Sequence, residues 1–438
     1  MKKIYKAIDN APLIIFRIFF GLLFACESFG AILTGWVKDN LITPQFTFAH
    51  IGFDWLQPLP GYGMYLYFGL MGIFSISVAV GYRYRFSMLA LTILWTGAYL
   101  MQKTSYNNHY YLLVLVSFIM LFLPANKYKS LDVRLGYVQQ QTTMPAWCSG
   151  VMILQISIVY FFATVAKFYP DWLDGTFVKN LLANRTPFQA VNDLFAQKWF
   201  YMFITYAGIL FDGLIIPALL YKRTRTYAVL ASLLFHIFNS VVLQIGIFPY
   251  FALSFAVFFY PPKTIKNLFF KSKPAVSGVP HYIYKNKKLV LYLFVPYFMI
   301  QLILPIRHWF IPGNVLFTEE GHRLSWRMML RSKSGFTYYS VINKATNTRL
   351  SYNLHDKLTP KQLNGLGTHA DMIWQMAQRI KDEFKQQGID VAVYAHSYVS
   401  VNGRPPLQLI NDKVDLAQEK WNYFGPSTWL FPQPLYFK

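Results

Sequence analysis

Apolar stretches recur through the first 306 residues, near 12–34, 63–81, 87–102, 109–124, 149–166, 199–220, 227–244, 247–260 and 289–306. Each is long, or nearly long, enough to cross a hydrocarbon layer about 30 Å thick. The pattern predicts a polytopic α-helical membrane bundle of about nine spans. The shortest stretches, 87–102 and 247–260, would borrow flanking aromatics or enter only part of the way. Composition agrees, since 55% hydrophobic, 19% aromatic and 14% charged residues are unusual for a soluble chain of 438 residues. The first stretch lacks a small-residue cleavage pattern before a polar start and reads as a retained span.

The net charge of +22 then becomes a statement about topology. With the N-terminus (Lys2, Lys3, Lys6) inside, the inner loops also hold Arg83, Arg85, Lys127, Lys129, Arg134, Lys222, Arg223, Arg225 and the lysines from Lys263 to Lys288, 18 basic residues against 6 in the outer loops. Cytoplasmic loops carry such an excess, and an odd number of spans places the C-terminal region outside. No basic face on a soluble fold points to nucleic acid as a partner. Cys26 and Cys148 lie in or beside spans without metal-like spacing and read as packing residues.

Residues 1–307 thus form a membrane domain, and from about 308 the composition changes. Strand-like pieces fall at Asn314–Phe317, Trp326–Leu330 and Phe336–Ile342. A helix is expected near 368–387, where Met372, Ile373, Met376, Ile380 and Phe384 share a face before Gly388, and a strand at Ile389–Ala395. Residues 308–438 therefore read as a small extramembrane α+β domain. Its aromatic, proline-rich end from Trp421 to Phe437 is expected to pack back on the membrane domain or its surface.

Chemistry is sought among polar residues in or beside spans, because lipid makes them costly unless they are paired or functional. Lys167 stands where an apolar run meets the aromatic loop Phe168-Tyr-Pro-Asp171-Trp172. Burial disfavours a charged ammonium, and a neutral amine is a base; the alternative is a lysine snorkelling to water. His109 opens the fourth stretch after Asn107 and Asn108, as a pocket residue or an interfacial anchor. His236, Asn239 and Gln244 share one helix face, where they line a cavity or hold the bundle together. Asp212 sits in the sixth stretch, and Arg17 and Glu27, about 15 Å apart along the first, read as structural partners of other helices. Nine spans would put His109 and Lys167 at one depth, in one pocket. The tail histidines His322, His355, His369 and His396 lack metal-ligand spacing, so no metal is expected.

Three strings occur in order on these spans: Lys103-Thr-Ser-Tyr-Asn-Asn-His109-Tyr-Tyr-Leu, Tyr160-Phe-Phe-Ala-Thr-Val-Ala-Lys167-Phe-Tyr-Pro-Asp-Trp-Leu-Asp-Gly, and Phe235-His236-Ile-Phe-Asn239-Ser240 followed by Ile245-Gly-Ile-Phe-Pro-Tyr250. Together they resemble the corresponding segments of vitamin K-dependent gamma-glutamyl carboxylase. Further pieces are Pro58-Leu-Pro, Leu210-Phe-Asp212, Trp326-Arg-Met-Met329, Val401-Asn-Gly-Arg-Pro-Pro406 and Val414-Asp-Leu-Ala417, so the resemblance runs from about residue 12 nearly to the end.

The resemblance implies an enzyme that oxidises vitamin K hydroquinone, or a menaquinol in a bacterial setting, with O2 to the epoxide. The strongly basic oxygenated intermediate removes a glutamyl γ-proton, and the carbanion takes up CO2. It implies that Lys167 deprotonates the hydroquinone and that His109 assists at its oxygen or orients Lys167. Asn108, His236 and Asn239 would line the quinol site. The segment with Trp326, Met328 and Arg331 would present the glutamate of a peptide or protein substrate. Such an enzyme opens to membrane lipid for its quinol and shields the oxygenated base from water.

Differences from the animal enzymes are also legible. Their adjacent lysines become Ala166-Lys167, their Trp-Asp-Met-Met becomes Trp326-Arg327-Met-Met, the tail is shorter, and the disulfide expected of those relatives is not to be inferred from Cys26 and Cys148. Two other readings stay open: a quinone-binding or epoxidising membrane protein without carboxylase activity, and a transporter using Asp212, Glu27 and Arg17.

Overall fold

The structure, a computed structural model, describes all residues except 1, 184, 275–281, 284–286 and 433–438. Lys285 of the inner basic cluster and the last part of the aromatic end, including Phe437, lie outside the described residues.

Every apolar stretch is helical, and among the described residues six helices are by length and composition enough to cross a membrane, Ala11–Leu33, Gly63–Val80, Trp147–Val165, Lys198–Leu220, Arg225–Leu243 and Lys287–Phe310, so the full nine spans are not confirmed. The helix Asn108–Phe122 has 15 residues. At 1.5 Å per residue it reaches about 22 Å, short of the hydrocarbon thickness. Phe248–Phe258 is shorter still, with a 3-10 turn completing it. Tyr84–Met101 reaches 18 residues but is less apolar than the six, carrying Arg85, Ser87, Thr92 and Thr96. Large apolar side chains such as Leu66, Ile93, Phe161, Leu234 and Ile303 stay exposed on the bundle, as a lipid-facing surface requires.

Close packing sets the bundle geometry. A Cβ on Gly21 would lie 2.5 Å from the Ala79 amide nitrogen, so the first and second long helices touch backbone to backbone where only glycine fits. Arg17 is buried, donating to the carbonyls of Ala125 at 2.9 Å and Lys129 at 2.7 Å. It closes the end of the Asn108–Phe122 helix onto the first helix, the structural role its position suggests. At that same end β1 (Ala7–Asp9) pairs antiparallel with β2 (Thr143–Pro145), and buried Lys273 pairs with Asp9.

The C-terminal region contains a four-stranded antiparallel sheet in the order β4-β3-β5-β6, with β3 at Lys333–Asn343, β4 at Arg349–Leu350, β5 at Val391–Val401 and β6 at Leu407–Gln408. β3 and β5 pair along their whole length, from Lys333 opposite Val401 to Asn343 opposite Val391. The amphipathic helix Ala370–Gln386 lays Met372, Ile373, Met376 and Ile380, all buried, against this sheet. A capping box between Thr359 and Gln362 starts the preceding helix, Pro360–Leu366.

Two strand expectations fail. Asn314 caps a helical turn, Val315–Thr318, by accepting from the Leu316 amide at 2.9 Å. In the 326–330 segment Trp326 (φ +57°) and Met329 (φ +49°) are left-handed, which no strand accommodates. The aromatic end packs back as expected in part: Tyr423 lies against Gly52 of the membrane domain, and Trp429 is buried in a core shared with the C-terminal region, beside Trp421, which meets Trp374. That core also takes in Tyr169, Trp172, Phe177, Leu182 and Phe195 from the loop after Lys167. Arg404 forks onto buried Asp171, and Asn402 donates to the same carboxylate at 2.7 Å. The C-terminal region and the loop that follows Lys167 are therefore one packed body.

Candidate active site

Asn107 starts the short Asn108–Phe122 helix by accepting from the Tyr110 amide at 2.7 Å, which holds His109 in the first turn at the mouth of the bundle. The His109 ring stacks on Phe248, with centroids 3.7 Å apart and planes 17° from parallel. It lines a cavity of about 260 Å³ inside the bundle, with Glu27, Asn107, Tyr110, Gln244 and Phe251. The Glu27 side chain hydrogen-bonds the Tyr110 hydroxyl. The lining mixes apolar and aromatic side chains with a few polar groups, as ligand pockets do.

His109 also lines a second, more open chamber of about 410 Å³ between the membrane helices and the C-terminal domain. Its walls carry Lys103, Arg323, Arg327, Arg331, Lys333 and Lys361, with Met328 and Met329 between them. Lys103 reaches Asp371 at 2.7 Å, and Arg323 holds the same carboxylate. Arg331 Nε donates to Glu319 at 2.6 Å, and Lys333 Nζ lies 3.2 Å from it. Burial pulls the amines of Lys103 and Lys333 down to about 8, against the pull of Asp371 and Glu319 respectively. Burial pushes the Glu319 carboxyl up, but Arg331 and Lys333 hold it well below the usual range. Asp371, held between two cations, is likewise kept low, so both carboxylates stay ionised while the lysines share them. Six cations line the chamber against Glu319 in the lining and Asp371 behind it, so the chamber keeps a net positive character.

The segment 319–329 wraps this chamber under backbone strain, with Glu319, Leu324, Trp326 and Met329 all at positive φ. Trp326 is fully buried and stacks on Tyr111 at 5.1 Å, so it supports the wall instead of lining it. Asn108 accepts from the Tyr106 hydroxyl at 3.1 Å and donates to the Arg327 carbonyl at 3.2 Å. It therefore pins the strained segment to the helix that carries His109.

Lys167 stands apart from both cavities, correcting the shared pocket expected for it and His109. It is buried, donating to the Ala163 carbonyl at 3.2 Å and to Asp212, with its ammonium 5.2 Å from the Trp172 ring centroid. His236 Nε2 lies 3.1 Å from the Tyr160 hydroxyl, and its ring is 6.2 Å from Phe248. His236 thus links the Lys167 helix to the ring on which His109 stacks. Of the expected trio on that helix face, Gln244 lines the His109 cavity, whereas His236 and Asn239 are absent from its lining. The chamber cations Lys103, Arg323, Lys333 and Lys361, with Asp371, escaped the sequence reading. Lys103 begins the string that ends in His109, but nothing local marks Asp371, 268 positions further on, as its partner.

Bundle, buried ion pair and electropositive chamber together define an integral membrane protein whose α+β domain closes over a polar membrane cavity. The HTTM domain family matches residues 5–263, and the lumenal domain of vitamin K-dependent gamma-carboxylase matches residues 286–435. The chain belongs to the vitamin K-dependent gamma-glutamyl carboxylase family. No solved structure matches it.

Proposed function

We propose that the protein couples oxidation of a membrane quinol, vitamin K hydroquinone or a menaquinol, by O2 to the addition of CO2 at glutamyl side chains. The observation that carries this reading is the position of His109, which lines both the membrane cavity and the basic chamber. A quinol ring in the first and a glutamyl carboxylate in the second would meet at that residue. Isoleucines 245 and 247 and Phe248 suit a flat ring, and His109, Asn107 and Gln244 suit its oxygens. Arg331, Lys333 and Met328 suit the charged and aliphatic parts of a glutamyl side chain.

Lys167, paired with Asp212, would act as the base at one remove from the quinol cavity, through the Tyr160–His236 contact that reaches Phe248. A proton passed from ammonium to carboxylate leaves a neutral amine, and burial narrows the gap between ionic and neutral forms of such a pair. His236 and Asn239 position the helix that closes the quinol cavity. Trp326 backs the substrate segment. With Tyr84–Met101, Asn108–Phe122 and Phe248–Phe258 crossing beside the six long helices, the count is odd, the N-terminus is cytoplasmic and the 308–438 domain periplasmic, in a bacterial inner membrane, with membrane lipid supplying the quinol.

Glu319 favours a second reading, quinol epoxidation without carboxylation, because it already occupies Arg331 and Lys333 as a glutamyl substrate would. One experiment separates the two. Purified protein is given quinol, O2, labelled bicarbonate and a glutamate-containing peptide, and epoxide and fixed label are scored together. Both products, lost in Lys167→Ala, support the carboxylase; epoxide alone across a panel of peptides supports the second reading; neither product from folded protein rejects both.

A further inference from the structure

We infer that Glu27 is the proton acceptor of the membrane cavity and the start of a proton exit to the basic chamber. The inference rests on the quinol reading above. Quinol, O2, CO2 and a glutamyl residue balance epoxide, water, a γ-carboxylated residue and one released proton. That proton begins on a ring hydroxyl deep in the bundle, and it has to leave without flooding the cavity with water.

Glu27 lies within a membrane-spanning helix, where a carboxyl group is costly unless it has a task. It faces two cavities at once. One is the 260 Å³ cavity that it shares with His109. The other is a small void of about 20 Å³, room for a single water, lined by Trp36, Gln102, Ser105, Tyr106 and Tyr110. Tyr110, whose hydroxyl is bonded to Glu27, borders both. At the far side of the void Gln102 donates to the Ser105 hydroxyl at 3.2 Å, and Ser105 accepts from Lys361 at 2.6 Å. Lys361 lines the chamber. A polar track therefore runs from the cavity through Glu27, one water site and Ser105 to Lys361 at the chamber edge, while the rest of the void is walled by Ala31, Phe68, Trp95 and Ala98. For a proton to pass, Lys361 first gives its own proton to the chamber, and Ser105 turns from Asn40, to which it donates at 3.2 Å, to the neutral amine.

In the step assigned to it, the O–H bond of one quinol hydroxyl breaks, its electron pair stays on the ring oxygen, and the proton goes to the Glu27 carboxylate. The proton of the other hydroxyl and the glutamyl γ-proton leave together in the product water. The titratable groups facing Glu27 across the two cavities are His109, Tyr99, Tyr106 and Tyr110.

The test uses the full chain in lipid nanodiscs with menaquinol. On anaerobic addition, infrared difference spectra of the wild type should gain a protonated carboxyl band, absent in Glu27→Gln and shifted in Glu27→Asp. With O2 admitted, Glu27→Gln should lose on the order of 100-fold in kcat for epoxide with KM for quinol within about twofold, and Glu27→Asp should recover part of it. The band and the rate both surviving in Glu27→Gln overturns the inference alone. Menaquinol failing to bind the wild type overturns the quinol reading and the inference with it. Should Glu27→Gln not fold, Ser105→Val interrupts the same track and must delay proton release behind epoxide formation in a single turnover, followed with a pH dye. Release that keeps pace with epoxide overturns the inference.

Discussion

Lys167 and Asp212 form an ion pair with side chains only 9% and 8% exposed, linking the end of the Trp147–Val165 helix to the middle of Lys198–Leu220. Removing one partner strands the other charge. Lys167→Ala should therefore lose epoxidation and also about 3–5 kcal/mol of stability. Lys167→Met with Asp212→Leu should recover most of that stability, read by thermal unfolding in detergent, and none of the turnover. Recovery of both would make the pair purely structural.

The stack of His109 on Phe248 separates packing from chemistry. His109→Phe keeps a flat ring against Phe248 and removes the imidazole. Epoxide formation should fall on the order of 100-fold while the unfolding midpoint barely moves. An unaltered rate would reduce His109 to an anchor.

Arg331 reaches the chamber from the strained 319–329 wall and its neighbour segment. Arg331→Gln should weaken a glutamyl peptide by about 1.5–3 kcal/mol, roughly ten- to a hundredfold in KM for label fixation, and spare the KM for quinol. Equal changes in both constants would point to a collapsed wall, which a proteolysis time course would reveal.

The chamber also predicts a pH response. Lys103 and Lys333 lose their protons near 8, below the ordinary range of a lysine, because burial disfavours their charged forms. Cations that attract a carboxylate are present below that value and lost as pH rises through it. Peptide KM should accordingly rise above about pH 8, whereas the carboxylates of Glu319 and Asp371 remain ionised throughout. A flat KM between pH 7 and 9.5 would show that neither lysine contributes.

Gly21 sets how closely the first two long helices approach. Gly21→Ala places a methyl group against the Ala79 backbone and should cost about 1–3 kcal/mol by overpacking, seen as a lower unfolding midpoint.

Local sequence determined a good deal of this. Helical membrane segments, the helix at 370–386 and the strand beginning near 391 follow from apolar periodicity, because burying one face of a helix or strand leaves a repeat in the chain itself. His109 and Lys167 stood out in the sequence because polar groups are costly in or beside such segments, but their partners did not. The expected strands at 314–317 and 326–330 went astray because a cap by Asn314 and left-handed backbone at Trp326 and Met329 outweigh β propensity. What only the tertiary structure decided is who meets whom. Lys167 found Asp212 in place of His109, Lys103 found Asp371, and His109 came to face two cavities, one of them shared with Glu27. A charge seeks its counter-charge through space, and packing of distant helices, which leaves no periodic mark on the chain, sets those distances.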